Sequence, residues 1–193
     1  MNSPVEMHPF EPFLPEGAKI LVLGSFPPQH KRWCMDFYYP NWINDFWRIC
    51  GLVFHSDKSW FEVRGEKRFD KDAIVRFCEQ TGIAMYDTAS AVRRLRDNAS
   101  DKFLEVAVPT DLQSLLERIP QCEAIVTTGE KATTTICESY GCSAPPVGGR
   151  TALDIAGRHY AFYRMPSSSR AYPCPLSKKA EAYLTMFRER GLV

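Results

Sequence analysis

The sequence lacks several features that would assign it to a specialised class of protein. Its 193 residues contain no apolar run approaching the roughly 18 residues of a membrane-spanning helix. Lys and Arg number 24 against 23 Asp and Glu, so the formal net charge is +1 and a globally basic coat protein is excluded. Residues 1–17 carry three acids and four prolines without an apolar stretch, unlike a secretory signal. We therefore expect an intracellular, cytoplasmic protein.

Metal-site spacing is also missing, although seven cysteines are present. No two cysteines stand in the C-x2-C spacing of zinc or iron–sulfur sites, and their number is odd. Most lie within apolar runs, where a free cysteine acts as a small hydrophobe. We expect structural thiols, with no metal and no cofactor.

What is present is the composition of one globular domain. Hydrophobic residues make up 45% of the chain and charged residues 24%, which is ordinary for such a domain. No repeat, linker or low-complexity segment divides the sequence, and its length suits one full core better than two small ones. A single domain over residues 1–193 is predicted.

Four short apolar runs predict strands, at residues 19–23, 83–86, 123–127 and 159–164. The first three are almost continuously apolar, as in strands buried on both faces of a parallel sheet. Helical patterns alternate with them, so we predict a three-layer α/β/α sandwich with a four-stranded, mainly parallel central sheet. In such sheets ligands bind beyond the carboxyl ends of the strands.

Three helices have readable ends. Asp70 is placed to cap a helix that stops before Gly82, and Thr110 opens a capping-box pattern. A third helix, from Ser177, ends at Gly191.

Polar segments follow the predicted strands. They are Gly24-Ser25-Phe26-Pro27-Pro28, Asp87-Thr88-Ala89-Ser90, Thr128-Gly129-Glu130-Lys131 and Met165-Pro166-Ser167-Ser168-Ser169-Arg170. Glycine and serine let backbone N–H groups approach an anion. From Arg158 onward seven basic residues stand against two acids, and residues 37–47 are rich in aromatics. Such loops, basic residues and aromatic rings are typical of a protein that binds the phosphates of a nucleic-acid strand and stacks one base on an aromatic ring.

In their order, these motifs resemble the uracil-DNA glycosylase superfamily. Gly24-Ser25-Phe26-Pro27, then Tyr38-Tyr39-Pro40 and Asn44-Asp45-Phe46-Trp47, are similar to its first signature, and Met165-Pro166-Ser167 resembles the second. Gly82-Ile83-Ala84-Met85-Tyr86-Asp87 resembles the strand that ends in the base-reading residue of the uracil branch. The similarity spans roughly residues 19–187 and is greatest to the mismatch-specific and hypoxanthine-DNA glycosylase branches.

The resemblance implies a monofunctional DNA glycosylase of base-excision repair, a hydrolase of N-glycosyl bonds that flips out a damaged or deaminated base. The implied partner is single- or double-stranded DNA that carries the damaged base. A monomer is implied, in the bacterial cytoplasm or another intracellular compartment that contains DNA.

Two polar groups of the superfamily are replaced. Phe26 stands where relatives hold a water with aspartate or asparagine, and Met165 stands where the uracil branch has a histidine. His30 and His159 are no obvious substitutes. The hypoxanthine branch uses an asparagine farther along, and Asn44 matches it, so Asn44 is the predicted catalytic residue, with a helix N-cap as the alternative.

The predicted base-binding residues are Gly24, Ser25, Phe26, Tyr39, Asp87 and Met165. Tyr39 aligns with the base stacker, or is a half-buried loop aromatic. Asp87 replaces the asparagine that reads uracil, and an ionised carboxylate only accepts hydrogen bonds. It therefore favours a ring N–H or an exocyclic amine and predicts hypoxanthine over uracil, with an Asx-type cap as the alternative.

Ser167, Ser168, Ser169, Arg170 and Lys178 are the predicted DNA contacts. Arg170 lies where relatives insert a bulky wedge and would contact a phosphate; an unengaged surface arginine is the alternative.

Two other functions compete with excision. A catalytically degenerate member that binds nucleic acid or a free base agrees with Phe26 and Met165. A serine α/β hydrolase is disfavoured, because no G-x-S-x-G elbow occurs and the histidines lack a triad setting.

Overall fold

A computed structural model describes residues 3–96 and 101–193, so residues 1–2 and 97–100 of the predicted domain lie outside it. The strands are β1 (Val5–Met7), β2 (Ile20–Gly24), β3 (Ile83–Asp87), β4 (Ala89–Arg94), β5 (Leu104–Pro109), β6 (Ala124–Thr128), β7 (Gly149–Ile155) and β8 (Arg158–Met165). The helices are α1 (Phe46–His55), α2 (Lys71–Thr81), α3 (Leu112–Glu117), α4 (Glu130–Tyr140) and α5 (Leu176–Glu189).

The central sheet has the strand order β3-β2-β6-β8-β7. The first four strands are parallel and β7 is antiparallel to β8. The α/β class and the mainly parallel sheet are thus confirmed, and the four predicted strands correspond to β2, β3, β6 and β8. The predicted strand number of four is wrong for this five-stranded sheet. β7 was not predicted because this edge strand has no apolar run: only Leu153 and Ile155 are buried in it.

The helices cover both faces of this sheet. The ring centroid of Phe54 on α1 lies 4.8 Å from that of Phe77 on α2 and 4.9 Å from that of Phe187 on α5. These three helices therefore pack together. On α4, the Tyr140 hydroxyl oxygen accepts from the Leu112 N–H of α3 at 3.2 Å. Right-handed crossovers place the two groups on opposite faces, which gives three layers. No helix in the described part of the chain is both long and apolar enough to cross a bilayer.

A second, smaller sheet has the order β1-β4-β5 and is antiparallel. Because β4 starts two residues after β3 ends, this sheet lies beside the carboxyl end of β3. It has its own small core, formed by Phe26, Ala89, Val92 and Leu104. Phe26, which is a predicted base-binding residue, therefore also packs into the core of the second sheet.

Capping residues explain where two helices begin. The Asp70 carboxylate accepts from the Ala73 N–H at 3.0 Å, and Gly82 ends α2 with a φ of +80°, as predicted. The capping box at Thr110 is wrong: the cap of α3 is Asp111, and the Thr110 hydroxyl donates instead to the Asp87 carbonyl at 2.7 Å. Its N–H donates to the Thr88 carbonyl at 3.0 Å, which ties residue 110 to the segment after β3.

Candidate active site

A cleft of about 900 Å³ opens at the carboxyl ends of β2, β3, β6 and β8. The sheet register places Gly24 beside Asp87 and Thr128 beside Met165, so the four strand ends meet there. The predicted site residues that line the cleft are Gly24, Ser25, Phe26, Tyr39, Asn44, Asp87, Met165, Ser167, Ser168 and Ser169. A separate depression of about 730 Å³ along β7 and β8 contains none of them.

Arg170 and Lys178 are not among the residues that line the cleft. The Arg170 guanidinium donates from Nε to the buried Asp45 carboxylate at 2.9 Å, and its side chain remains 47% exposed. Lys178 pairs with Glu181 on the exposed side of α5 at 2.8 Å. Arg170 therefore borders the loop after β8, whereas Lys178 stands apart.

Gly24 permits a close approach between backbone and carboxylate. A Cβ at this position would lie 2.6 Å from Asp87 Oδ1 and 3.4 Å from Tyr39 Oη. The first distance is too short for both atoms to keep their positions, so any side chain at residue 24 would displace the Asp87 carboxylate. The space above the Gly24 Cα is bordered by one acceptor and one hydroxyl.

Asp87 is buried, and its two carboxylate oxygens have different surroundings. Oδ2 lies 2.8 Å from Nε2 of His8, whose side chain is only 2% exposed. Oδ1 has no hydrogen-bond partner among the described residues and borders the cleft above Gly24. The carboxylate thus bonds a distant histidine rather than the local N–H groups of an Asx turn.

His8 was missed by the sequence analysis. The two histidines considered there lie elsewhere: His30 and His159 have side chains that are 82% and 84% exposed. His8 belongs to an irregular segment 79 residues before Asp87, and no motif or spacing connects the two.

Asp101 is a second carboxyl group in the cleft that the sequence did not reveal. Its Oδ1 accepts from the Ser25 hydroxyl at 2.8 Å. Burial raises the pKa of Asp101 above its ordinary value and the Asp87 carboxylate adds to the rise, while the Ser25 hydrogen bond opposes it. The residue begins the 3-10 turn Asp101–Phe103 between β4 and β5, where no pattern indicates a functional position.

Asn44 lies at the cleft wall, immediately before α1. Its Oδ1 accepts from the Phe46 N–H at 2.9 Å, so the side chain satisfies a backbone donor at the helix start. An amide oxygen has two lone pairs, and one remains for another donor. The N-cap of α1 is Asp45, so Asn44 supports the helix start from one residue before the cap, and its geometry does not exclude a bound water.

Tyr39 lines the cleft in a constrained conformation. Its φ of +53° is in the left-handed region, and its ring stacks on Phe46 with centroids 4.0 Å apart. The hydroxyl is 2.7 Å from Thr128 Oγ1, and burial raises the pKa of the phenol well above its ordinary value. Phe46 therefore covers one ring face, and a base could stack only on the other.

Residues 166–170, the serine loop after β8, are held by hydrogen bonds from α5 and from the start of α1. The buried Lys179 ammonium donates to the Ser169 carbonyl at 2.7 Å, and the Tyr183 hydroxyl donates to the Pro166 carbonyl at 3.0 Å. The Asp45 N–H donates to the Ser168 carbonyl at 2.9 Å, which ties the loop to the start of α1. Burial lowers the pKa of Lys179.

The described residues hold no cluster of three His, Cys, Asp or Glu side chains suited to a metal ion. All seven cysteines are described and free, and burial raises the pKa of the Cys50 and Cys78 thiols.

The fold matches a solved structure, the solution NMR structure of a "putative Uracil DNA glycosylase" from Methanosarcina acetivorans. The match covers 97% of this chain and 99% of the other, with a TM-score of 0.64 and 21% sequence identity. No family model and no curated protein matches the sequence. The chain therefore has a uracil-DNA glycosylase-like fold, as its motifs predicted.

Proposed function

We propose that this chain is a monofunctional DNA glycosylase of base-excision repair. It would act as a monomer in an intracellular compartment, on DNA whose damaged or deaminated base is flipped into the cleft, with hypoxanthine-like bases preferred over uracil. The observation that supports this most is the meeting of Asn44, Tyr39 and the free Asp87 oxygen at one sheet edge. The similar structure from M. acetivorans supports it at the level of fold.

The single free oxygen of Asp87 supports the base preference. It can only accept a hydrogen bond, and the ring N–H of hypoxanthine has a carbonyl on one side and a C–H on the other. The ring N–H of uracil lies between two carbonyls, so a carboxylate oxygen meets repulsion on both sides. Hypoxanthine is therefore the better partner.

The charge of the departing base supports the same preference. Uracil leaves as an anion, which the carboxylate of Asp87 disfavours and the thioether of Met165 cannot stabilise. A purine can accept a proton on N7 and leave neutral. A pocket lined by carboxyl groups therefore suits a purine lesion better than a pyrimidine.

Asn44 is the proposed catalytic residue because its amide oxygen is fixed by the Phe46 N–H and retains one lone pair. That lone pair would accept a hydrogen bond from a water aimed at the sugar C1′. An oxocarbenium-like transition state needs little nucleophilic strength, so positioning by a neutral amide is sufficient.

Single-turnover excision from duplexes with one uracil, hypoxanthine, xanthine or mismatched thymine tests the proposal. Asn44→Ala should lower the hypoxanthine rate by roughly 10²-fold, the scale for one positioned group. Asn41→Ala is the matched control, since Asn41 Oδ1 accepts from the Ile43 N–H in the same geometry. It should cleave at nearly the wild-type rate.

Duplex affinity should stay near wild type in both variants, and each lost hydrogen bond to the backbone should cost about 1 kcal/mol of stability. Equal rates for Asn44→Ala and Asn41→Ala would leave Asn44 as a cap only. Uracil as the best substrate would refute the argument from Asp87.

A binding protein without excision is the second candidate. It is favoured by the packing of Phe26 into the small core, because no polar group replaces it at the water position. Lesion-selective binding with no cleavage of any of the four duplexes would identify this function.

A further inference from the structure

His8 is the one histidine of this chain whose side chain is buried in the described structure. Its ring centroid lies 4.5 Å from that of Tyr86 and 5.2 Å from that of Phe26. The backbone of residue 8 is fixed as well, since its N–H donates to the Ser90 carbonyl at 2.9 Å, directly after the pairing of β1 with β4. The ring is thus placed by two sheets at once.

The surroundings of the ring direct a proton toward Asp87. Nδ1 is 3.1 Å from the Phe10 amide nitrogen and 2.9 Å from the Phe10 carbonyl oxygen. The first contact suits an unprotonated Nδ1 and the second a protonated one, so they do not fix the tautomer. The Asp87 carboxylate does, because an ionised carboxylate oxygen only accepts and its partner Nε2 must carry a proton. We therefore take Nε2 as the donor to Asp87 Oδ2, at 2.8 Å.

We propose that His8 is a positioning residue that determines which base the cleft accepts. By bonding Oδ2 it fixes the rotation of the Asp87 carboxylate, so that Oδ1 alone is presented above Gly24. This deepens the proposed function and rests on its premise that a DNA base occupies the cleft, but it does not require that the base be excised.

Without the histidine donor, the carboxylate is free to rotate and either oxygen can meet the base. The carboxylate could then turn to accept from the ring N–H of either base. The distinction between hypoxanthine, whose ring N–H has one flanking carbonyl, and uracil, whose ring N–H has two, would be lost. Base selectivity, more than affinity for DNA, is therefore the property that depends on His8.

Binding of non-cleavable duplexes tests the proposal whether or not the protein excises. The probes are duplexes with one 2′-fluoro-deoxyinosine or one 2′-fluoro-deoxyuridine, in which the fluorine opposes positive charge at C1′ and so blocks cleavage. His8→Phe keeps a ring against Tyr86 and removes the donor, and His8→Gln keeps an N–H donor. Each variant is also made with Asp87→Asn.

The wild type should prefer the inosine duplex, and His8→Phe should lower this preference by roughly tenfold, the scale of a hydrogen bond to a charged group. His8→Gln should retain most of it. In the Asp87→Asn background, His8→Phe should change the preference less than about twofold, since residues that act through one another are not additive. A packing role would instead give the same loss in both backgrounds.

The inference is overturned if His8→Phe keeps the wild-type preference, or if the wild type binds both duplexes equally. Selective binding without excision would refute the proposed function and leave this inference standing. Imidazole ¹⁵N spectra of wild type and Asp87→Asn test the contact even if His8→Phe does not fold. The Nε2 signal should be that of a protonated nitrogen and should shift in Asp87→Asn; an unprotonated Nε2 refutes the proposal.

Discussion

The position of Asp87 Oδ1 at the cleft depends on the absence of a Cβ at residue 24. Gly24→Ala would place Cβ 2.6 Å from Oδ1, so the carboxylate must move away from the cleft. We expect the preference for inosine over uridine duplexes to fall, together with the melting temperature. In an Asp87→Ala background the obstructing atom is absent, and Gly24→Ala should then cost little stability. Equal losses of melting temperature in the two backgrounds would contradict the steric argument.

The raised pKa of Asp101 gives its substitution a pH-dependent effect on stability. The folded protein binds this proton more tightly than the unfolded chain, so the favourable contribution exists at acidic pH and disappears as pH rises through the folded-state pKa. Asp101→Asn keeps an acceptor for the Ser25 hydroxyl and has no proton to lose. Its melting temperature relative to wild type should therefore rise from about pH 4, near the ordinary pKa of Asp, to neutral pH.

Asp111 provides a control of opposite sign. Hydrogen bonds from Ser114 lower the pKa of this exposed helix cap, so its contribution is present at neutral pH and is lost on acidification. Asp111→Asn should lose melting temperature relative to wild type over the same rise in pH. Parallel pH trends for Asp101→Asn and Asp111→Asn would refute the assignment of the Asp101 shift to burial.

At the scale of elements, the interior strands were predictable and the edges were not. β2, β3 and β6 are buried along their whole length, and full burial leaves a continuous apolar run in the sequence. β1 is three residues long and β7 is mostly exposed, so pairing with a neighbour, rather than local pattern, makes them strands. Tertiary pairing also moved the α3 cap from Thr110 to Asp111.

The residues of the candidate site also divide into predictable and unpredictable ones. Gly24, Asp87 and Met165 were predictable because they end strands, where an α/β sheet presents its ligands. His8 and Asp101 reach the site through contacts 79 and 76 residues long in sequence, from a segment without period and from a 3-10 turn. Such contacts depend on the second sheet, which no sequence pattern predicted.

Arg94 connects the second sheet to the loop after β2. On β4, its guanidinium donates to Glu6 at 2.9 Å and to the Pro27 carbonyl at 2.6 Å. Arg94→Met should therefore destabilise the protein by about 1–3 kcal/mol in urea unfolding, because a buried carbonyl loses its charged donor.

Arg93 is the matched control for this change. It pairs with Glu105 near the surface, so Arg93→Met should cost about 0–1 kcal/mol. Similar losses for Arg93→Met and Arg94→Met would mean that Arg94 does not link the elements.

For the molecule as a whole, a net charge of +1 conceals an excess of basic residues from Arg158 onward. The cleft contains the cations Lys102, Lys131 and Arg164 as well as carboxyl groups, and Arg170 borders the loop after β8. Duplex affinity should fall steeply with salt, and Arg170→Ala should weaken all duplexes about equally and reduce the slope of log K against log salt by about 1.

Lys178→Ala should change that slope less than Arg170→Ala, because Lys178 lies outside the cleft and is paired with Glu181. Salt-independent binding would argue against a phosphate contact, and a larger effect of Lys178→Ala would extend the DNA surface onto α5.

The shortness of β1 predicts that the site is less heat-resistant than the fold around it. This strand has three register pairs with β4, and Val5 and Met7 are 46% and 70% exposed, so its opening costs little compared with unfolding of the central sheet. On heating, amide exchange at residues 5–8 should rise and selective duplex binding should be lost several degrees before the far-ultraviolet circular dichroism changes. Coincident transitions would show that β1 opens only with the whole domain. Separate transitions would mean that a three-residue strand at the edge of the molecule sets the highest temperature of selective binding.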